Sequence, residues 1–115
     1  MFNSENKLTI LAIGAHGDDI ELACGGTLAK AVSKGHQVIM VVVTGKDSKD
    51  HKNVSIRENG SAEKEAKAAA KILGVSKLII LGYEDTLVPY SADLIGNLDD
   101  IMNQYKPNIV FTHFV

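Results

Sequence analysis

At 115 residues the chain suits a single domain, and 45% apolar with 23% charged residues is an ordinary globular composition. Twelve basic residues against fourteen acidic ones leave a net charge of −2, which offers nothing to nucleic acid or to an anionic membrane surface. The single cysteine, Cys24, excludes an intrachain disulfide. With no apolar leader behind a basic start, and no apolar run near the ~20 residues that span a bilayer, a cytoplasmic protein without a membrane span is expected.

Residues 1–7 are polar and read as a loose lead-in. Residues 8–13 (LTILAI) form a short apolar run stopped by Gly14, as in a buried strand. Residues 20–33 follow with Ile20, Cys24, Leu28, Ala31 and Val32 at helical spacing, and Lys34-Gly35 reads as a helix stop with a cation in the last turn. Residues 37–43 (QVIMVVV) are the most strand-like run in the chain. Residues 44–55 are polar and aperiodic, which predicts a long exposed loop. A helix rich in Ala, Lys and Glu is expected over 56–73, strongest over 62–73, with Ala62, Ala66, Ala69 and Leu73 on one small-residue face and Gly74 as its stop. Residues 77–81 (KLIIL) read as a third strand and 82–89 as a loop. Ser91 is placed to cap a helix over 92–105 with Leu94, Leu98, Ile101 and Met102 as its apolar stripe, ended by Pro107. Residues 108–112 (NIVFT) open a fourth strand.

Strands that alternate with helices predict an α/β fold with a parallel sheet and right-handed crossovers. One domain over residues 1–115 is expected. Because the sequence stops just past a strand, it reads as the N-terminal part of a domain truncated at its C-terminus.

The reactive residues cluster at the end of the first strand. His16, Asp18 and Asp19 fall within four positions of one another on the turn into the first helix. In open α/β sheets, ligands bind at the carboxyl ends of the strands. A histidine and an aspartate three residues apart on a tight turn can direct a nitrogen and an oxygen at one cation, and zinc accepts both donor types. A neighbouring carboxylate can then serve as a base. The same residues have a plainer use: Asp18 with Glu21 fits a helix capping box, and His16 can simply be hydrogen-bonded at a strand end. Spacing alone favours capping.

The string GAHGDDIELACGGTL resembles the Ala-His-Pro-Asp-Asp and Gly-Gly-Thr signature of the PIG-L/LmbE-like family of metal-dependent N-deacetylases. The likeness continues through a Lys-Gly-His turn, Thr44-Gly45, the Glu65 to Gly74 pattern, Gly82 with Asp85, and KPNIVFTH. It implies a Rossmann-like, LmbE-like fold, His16 and Asp19 as ligands of Zn2+ or another divalent metal, and Asp18 as general base. The implied reaction removes the acetyl group from an N-acetylglucosamine-type sugar or glycoconjugate by way of metal-activated water. The partner is then a small-molecule N-acetylated amino sugar or glycoconjugate, with a homo-oligomer compatible.

Three positions depart from the family pattern. Gly17 stands for the usual proline and adds backbone freedom. The position of a substrate-contacting arginine is Ala62, so Arg57 is the candidate in its place, against a solvated surface role. The remaining metal ligand comes, in the family, from a histidine motif after the Thr-His element, and the sequence ends at Val115 before it. His113 matches the earlier Thr-His element and is a candidate for the substrate side of the site. Asp85 is a second such candidate, for which an Asx-turn is the alternative.

His36 at a strand entrance reads as structural or exposed, His51 as a solvated loop residue, and Cys24 as a small packed hydrophobe. Two other functions compete. One is a catalytically silent fragment or subunit of such an enzyme. The other is a nucleotide-binding Rossmann module, disfavoured because Gly-x-His-Gly-Asp-Asp puts two carboxylates where a pyrophosphate approaches.

Overall fold

The computed structural model describes residues 5–45, 52, 54 and 60–114. Seven elements alternate along the chain: β1 (Thr9–Gly14), α1 (Gly17–Ser33), β2 (Gln37–Thr44), α2 (Ser61–Leu73), β3 (Lys77–Tyr83), α3 (Ala92–Tyr105) and β4 (Ile109–Phe111). The strands form one parallel sheet in the order β3-β2-β1-β4. Ala12 lies between Met40 of β2 and Phe111 of β4.

Burial explains the apolar runs. β1 and β2 occupy the middle of the sheet and are covered on both faces, so nearly every residue is apolar. Ile10, Ala12, Val38, Met40 and Val42 point to one face, where they pack with Ile20, Leu28, Ala31 and Ala70 of α1 and α2. Leu11, Ile39 and Val41 point to the other face and meet Ile101 and Leu98 of α3. The strand order therefore reverses between β1 and β4. The chain leaves β1 over one face and arrives at β4 from the other, which makes the carboxyl ends of these two strands a topological switch point.

Several boundaries differ from the sequence expectations. α1 begins at Gly17, three residues before residue 20, because His16 takes the N-cap position. It also bends at Cys24, where φ −145 and ψ 17 leave the helical region just before two glycines. α2 starts at Ser61, and the part of the expected helix over 56–59 lies outside the described residues. Its buried small residues are Ala66 and Ala70, so the packed stripe runs through Ala70 as well as Ala66. β3 continues to Tyr83 after a register shift opposite Val42 and Thr44. α3 spans the expected residues, and the Ser91 hydroxyl accepts from the Leu94 N–H at 3.2 Å. His36 is buried, and its Nδ1 accepts from the Leu8 N–H at 3.0 Å, which ties the entrance of β2 to that of β1. Among the described residues no helix is long and apolar enough to cross a membrane.

Candidate functional site

The turn after β1 is fixed on three sides through its backbone. Gly14 ends the strand where the chain doubles back on α1: a Cβ there would lie 2.9 Å from Ile20 Cγ1 and 3.2 Å from the His16 carbonyl oxygen. The Ala15 carbonyl accepts from both the Thr44 N–H (3.0 Å) and the Thr44 hydroxyl (2.7 Å), so the end of β2 holds it. The Ala15 N–H donates to His113 Nε2 at 3.1 Å, which links the turn to the residues after β4. His16 is extended at φ −124, ψ 165, and its N–H donates to Asp19 Oδ2 at 2.9 Å. That bond is half of a capping box, but its register is His16 with Asp19 rather than the expected Asp18 with Glu21. The shift puts Asp18 and Asp19 in the first turn of α1, where the positive end of the helix dipole favours carboxylates.

Side chains from three strand exits meet here. His16 Nδ1 lies 3.8 Å from Asp19 Oδ2, and His113 Nε2 lies 3.2 Å from the same oxygen. His16 Nε2 lies 2.6 Å from Asp85 Oδ1, although β2 separates β1 from β3 in the sheet. The two contacts of His113 Nε2 exclude each other in any one protonation state. Unprotonated, it accepts from Ala15; protonated, it donates to Asp19. Asp18 is exposed and stands outside this cluster. Arg57 and His51 lie outside the described residues.

The donor set can be tested against a cation. One imidazole nitrogen and one carboxylate oxygen face each other at 3.8 Å, a gap that a cation with bonds of ~2.0–2.2 Å can span, and N/O donors are those that zinc accepts. The pair fits as two of the protein ligands of such an ion. Among the described residues no group of three His, Cys, Asp or Glu side chains is gathered to close a metal site.

Burial shapes the neighbouring residues of α1. Glu21 Oε1 is enclosed and makes no hydrogen bond. Burial raises the Glu21 carboxyl above its ordinary range, a backbone hydrogen bond opposes this, and the charges of Asp18 and Asp19 add to the rise. Burial also raises the Cys24 thiol, with the Glu21 charge adding to it, so Cys24 stays neutral and packs against the core as expected. A groove of about 460 Å³ runs beside the site, with Asp19, Ile20 and Cys24 on one side and Phe111 and His113 on the other.

Over residues 11–115 the chain matches the family described as PIG-L, GlcNAc-PI de-N-acetylase. It belongs to the PIG-L family. This PIG-L chain is 38% identical over 112 residues to the uncharacterized deacetylase YaiS of Escherichia coli strain K12, covering 96% of this chain and 57% of that protein. It is 32% identical over 111 residues to the diacetylchitobiose deacetylase of Thermococcus kodakarensis, covering 95% of this chain and 41% of that protein. In three dimensions it overlays N,N'-diacetylchitobiose deacetylase from Pyrococcus horikoshii with a TM-score of 0.76 at 31% identity, across 92% of this chain and 40% of that one. The chain spans about half the length of the curated relatives it matches. The expected fold, a Rossmann-like parallel sheet with alternating helices as in LmbE-like deacetylases, is the one observed.

Two features of the site escaped the sequence reading. The hydroxyl and N–H of Thr44 brace the β1 turn, whereas the sequence places Thr44 at the start of an exposed loop and in the Thr44-Gly45 element of the family likeness; it is instead the buried last residue of β2. Its signal was a threonine closing an otherwise apolar central strand. The contact of Asp85 with His16 had none, because the residues are 69 positions apart.

Proposed function

We propose that this PIG-L chain is the N-terminal part of a metal-dependent hydrolase that removes the acetyl group from an N-acetylglucosamine-type sugar or glycoconjugate. The observation that carries the reading is the convergence of His16 Nδ1 and Asp19 Oδ2 at a switch point of the sheet, with the exposed Asp18 between them in sequence. His16 and Asp19 hold Zn2+ or another divalent cation. When bound, such a cation polarises the amide carbonyl and lowers the pKa of water. Asp18 takes the proton of the attacking water and returns it to the departing amine. Arg57 and His113 contact polar groups of the substrate. The single cysteine suits a cytoplasmic setting.

A second reading has its own observation. The absence of a third gathered donor among the described residues favours a catalytically silent part that depends on a further segment or subunit. One experiment separates the two. The zinc-loaded chain is incubated with an N-acetylglucosamine conjugate and free amine is measured, alongside Asp18→Ala. Amine release that falls by ~10²–10⁴ in the variant, with zinc binding kept, is the expected result. Undiminished release by Asp18→Ala overturns the base assignment. Bound zinc with no amine release selects the second reading.

A further inference from the structure

We infer that Asp85 is a positioning residue for His16, accepting a hydrogen bond from its Nε2–H so that the neutral imidazole keeps its lone pair on Nδ1, facing Asp19. The inference rests on the reading of His16 and Asp19 as metal ligands, and it moves Asp85 from the substrate to the histidine.

An ionised carboxylate only accepts hydrogen bonds, so the 2.6 Å contact with Asp85 Oδ1 requires the proton of His16 to sit on Nε2. In the neutral imidazole the other ring nitrogen, Nδ1, is then an unprotonated donor atom 3.8 Å from Asp19 Oδ2. Two lone pairs facing each other at that distance repel unless a cation lies between them. Metal-ligating histidines regularly hand their other N–H to a carboxylate or carbonyl, which fixes tautomer and ring orientation. Asp85 is also the better enclosed partner: its side chain is 12% exposed against 45% for His16, so it offers little surface to a substrate.

The segment that delivers Asp85 is built at both ends. The Leu87 N–H donates to the Glu84 carbonyl at 3.1 Å, closing a turn with Asp85 and Thr86 at its centre. Thr86 adopts φ +68, a left-handed conformation that a β-branched residue takes at a cost. At the root of the turn, the Tyr83 hydroxyl donates to Asp93 and accepts from Asn97 Nδ2 at 3.0 Å, which pins the end of β3 to α3. Past the turn, Ser91 caps α3. The turn that carries Asp85 is thereby closed by its own main-chain bond and rooted at Tyr83.

The test reads the tautomer directly. Nitrogen-15 spectra of histidine-labelled, metal-free chain at alkaline pH should show His16 protonated on Nε2. Asp85→Ala should convert it to a mixture of tautomers. Asp85→Asn, which keeps an acceptor oxygen, should restore part of the preference, and backbone amide spectra confirm that each variant is folded. Zinc affinity, measured by competition with a chromophoric chelator, should fall ~10–100-fold in Asp85→Ala and by less in Asp85→Asn. A proton on Nδ1 in the unaltered chain overturns the inference. So does an Asp85→Ala chain with unchanged tautomer and unchanged zinc affinity. A chain that binds no zinc, yet loses its Nε2–H preference in Asp85→Ala, refutes the metal reading and supports the positioning role.

Discussion

The exits of β1 and β3 bring charged groups to the same place by opposite means. At the β1 exit, His16, Asp18 and Asp19 lie close together in sequence, and the main chain of the turn is held by Thr44 and by the side chains of His113 and Asp19. Its residues need no unusual backbone: His16 is extended, and α1 starts directly after it. At the β3 exit a single carboxylate is carried across a neighbouring strand on a turn with a left-handed threonine, anchored by Tyr83 to α3. The contrast separates two tasks. A short local motif brings several polar side chains together through adjacency alone, whereas the Asp85 contact with His16 depends on a turn from elsewhere in the chain, and the left-handed residue sits in that turn.

The largest expected effect strikes the β1 side. Gly14→Ala puts a Cβ 2.9 Å from the buried Ile20 and 3.2 Å from both Asp19 Cβ and the His16 oxygen. Atoms on both sides of the turn must then move. A loss of about 2 kcal/mol is expected in urea unfolding, on the scale of overpacking a well-filled site. Stability within a few tenths of the unaltered chain refutes the claim that this turn is tightly closed.

Thr86→Gly addresses the β3 side and has the opposite sign. Glycine adopts φ +68 without the Cβ penalty, and the relief outweighs its greater freedom in the unfolded chain. A gain of about 1 kcal/mol is expected by the same measurement. If the variant is instead less stable, the threonine side chain holds the turn and the β3 exit is as relaxed as the β1 exit.

The same division explains what the sequence could reveal. The alternation of strands and helices was readable because each apolar run has its own period or length, and burial on both faces of β1 and β2 makes their runs continuous. The cluster at residues 16–19 was readable because its members are adjacent. The sequence places the start of α1 three residues late, since Asp18 with Glu21 is itself a capping-box pattern and only the folded turn selects His16 with Asp19. The bend at Cys24 leaves no mark on the pattern because Cys24 and Leu28 keep the apolar stripe in step across it. The partnership of Asp85 with His16 was out of reach for a different reason. It depends on strand order, which brings β3 within one strand of β1, and a single sequence carries no pairwise signal for that.

The smallest effect qualifies the picture of a relaxed β1 side. Glu21 follows the two aspartates on α1, with one carboxylate oxygen enclosed and its pKa raised above 4.5, first by burial and then by its acidic neighbours. A raised carboxyl means that the folded state binds the proton more tightly than the unfolded one, so ionising Glu21 costs stability. That cost is absent below the unfolded pKa and is complete once the pH has risen past the folded one. Glu21→Gln, which carries no charge at any pH, should therefore make the metal-free chain more stable at neutral pH. The gain should be on the order of 1 kcal/mol or less, given the partial burial. It should shrink as the pH falls through the ordinary glutamate range and the native carboxyl takes up its proton. Thermal unfolding of both chains across that range reads the sign. A gap that widens on acidification, or a variant less stable at neutral pH, means that the Glu21 carboxylate is held by a favourable partner, and the β1 exit then carries no electrostatic strain at all.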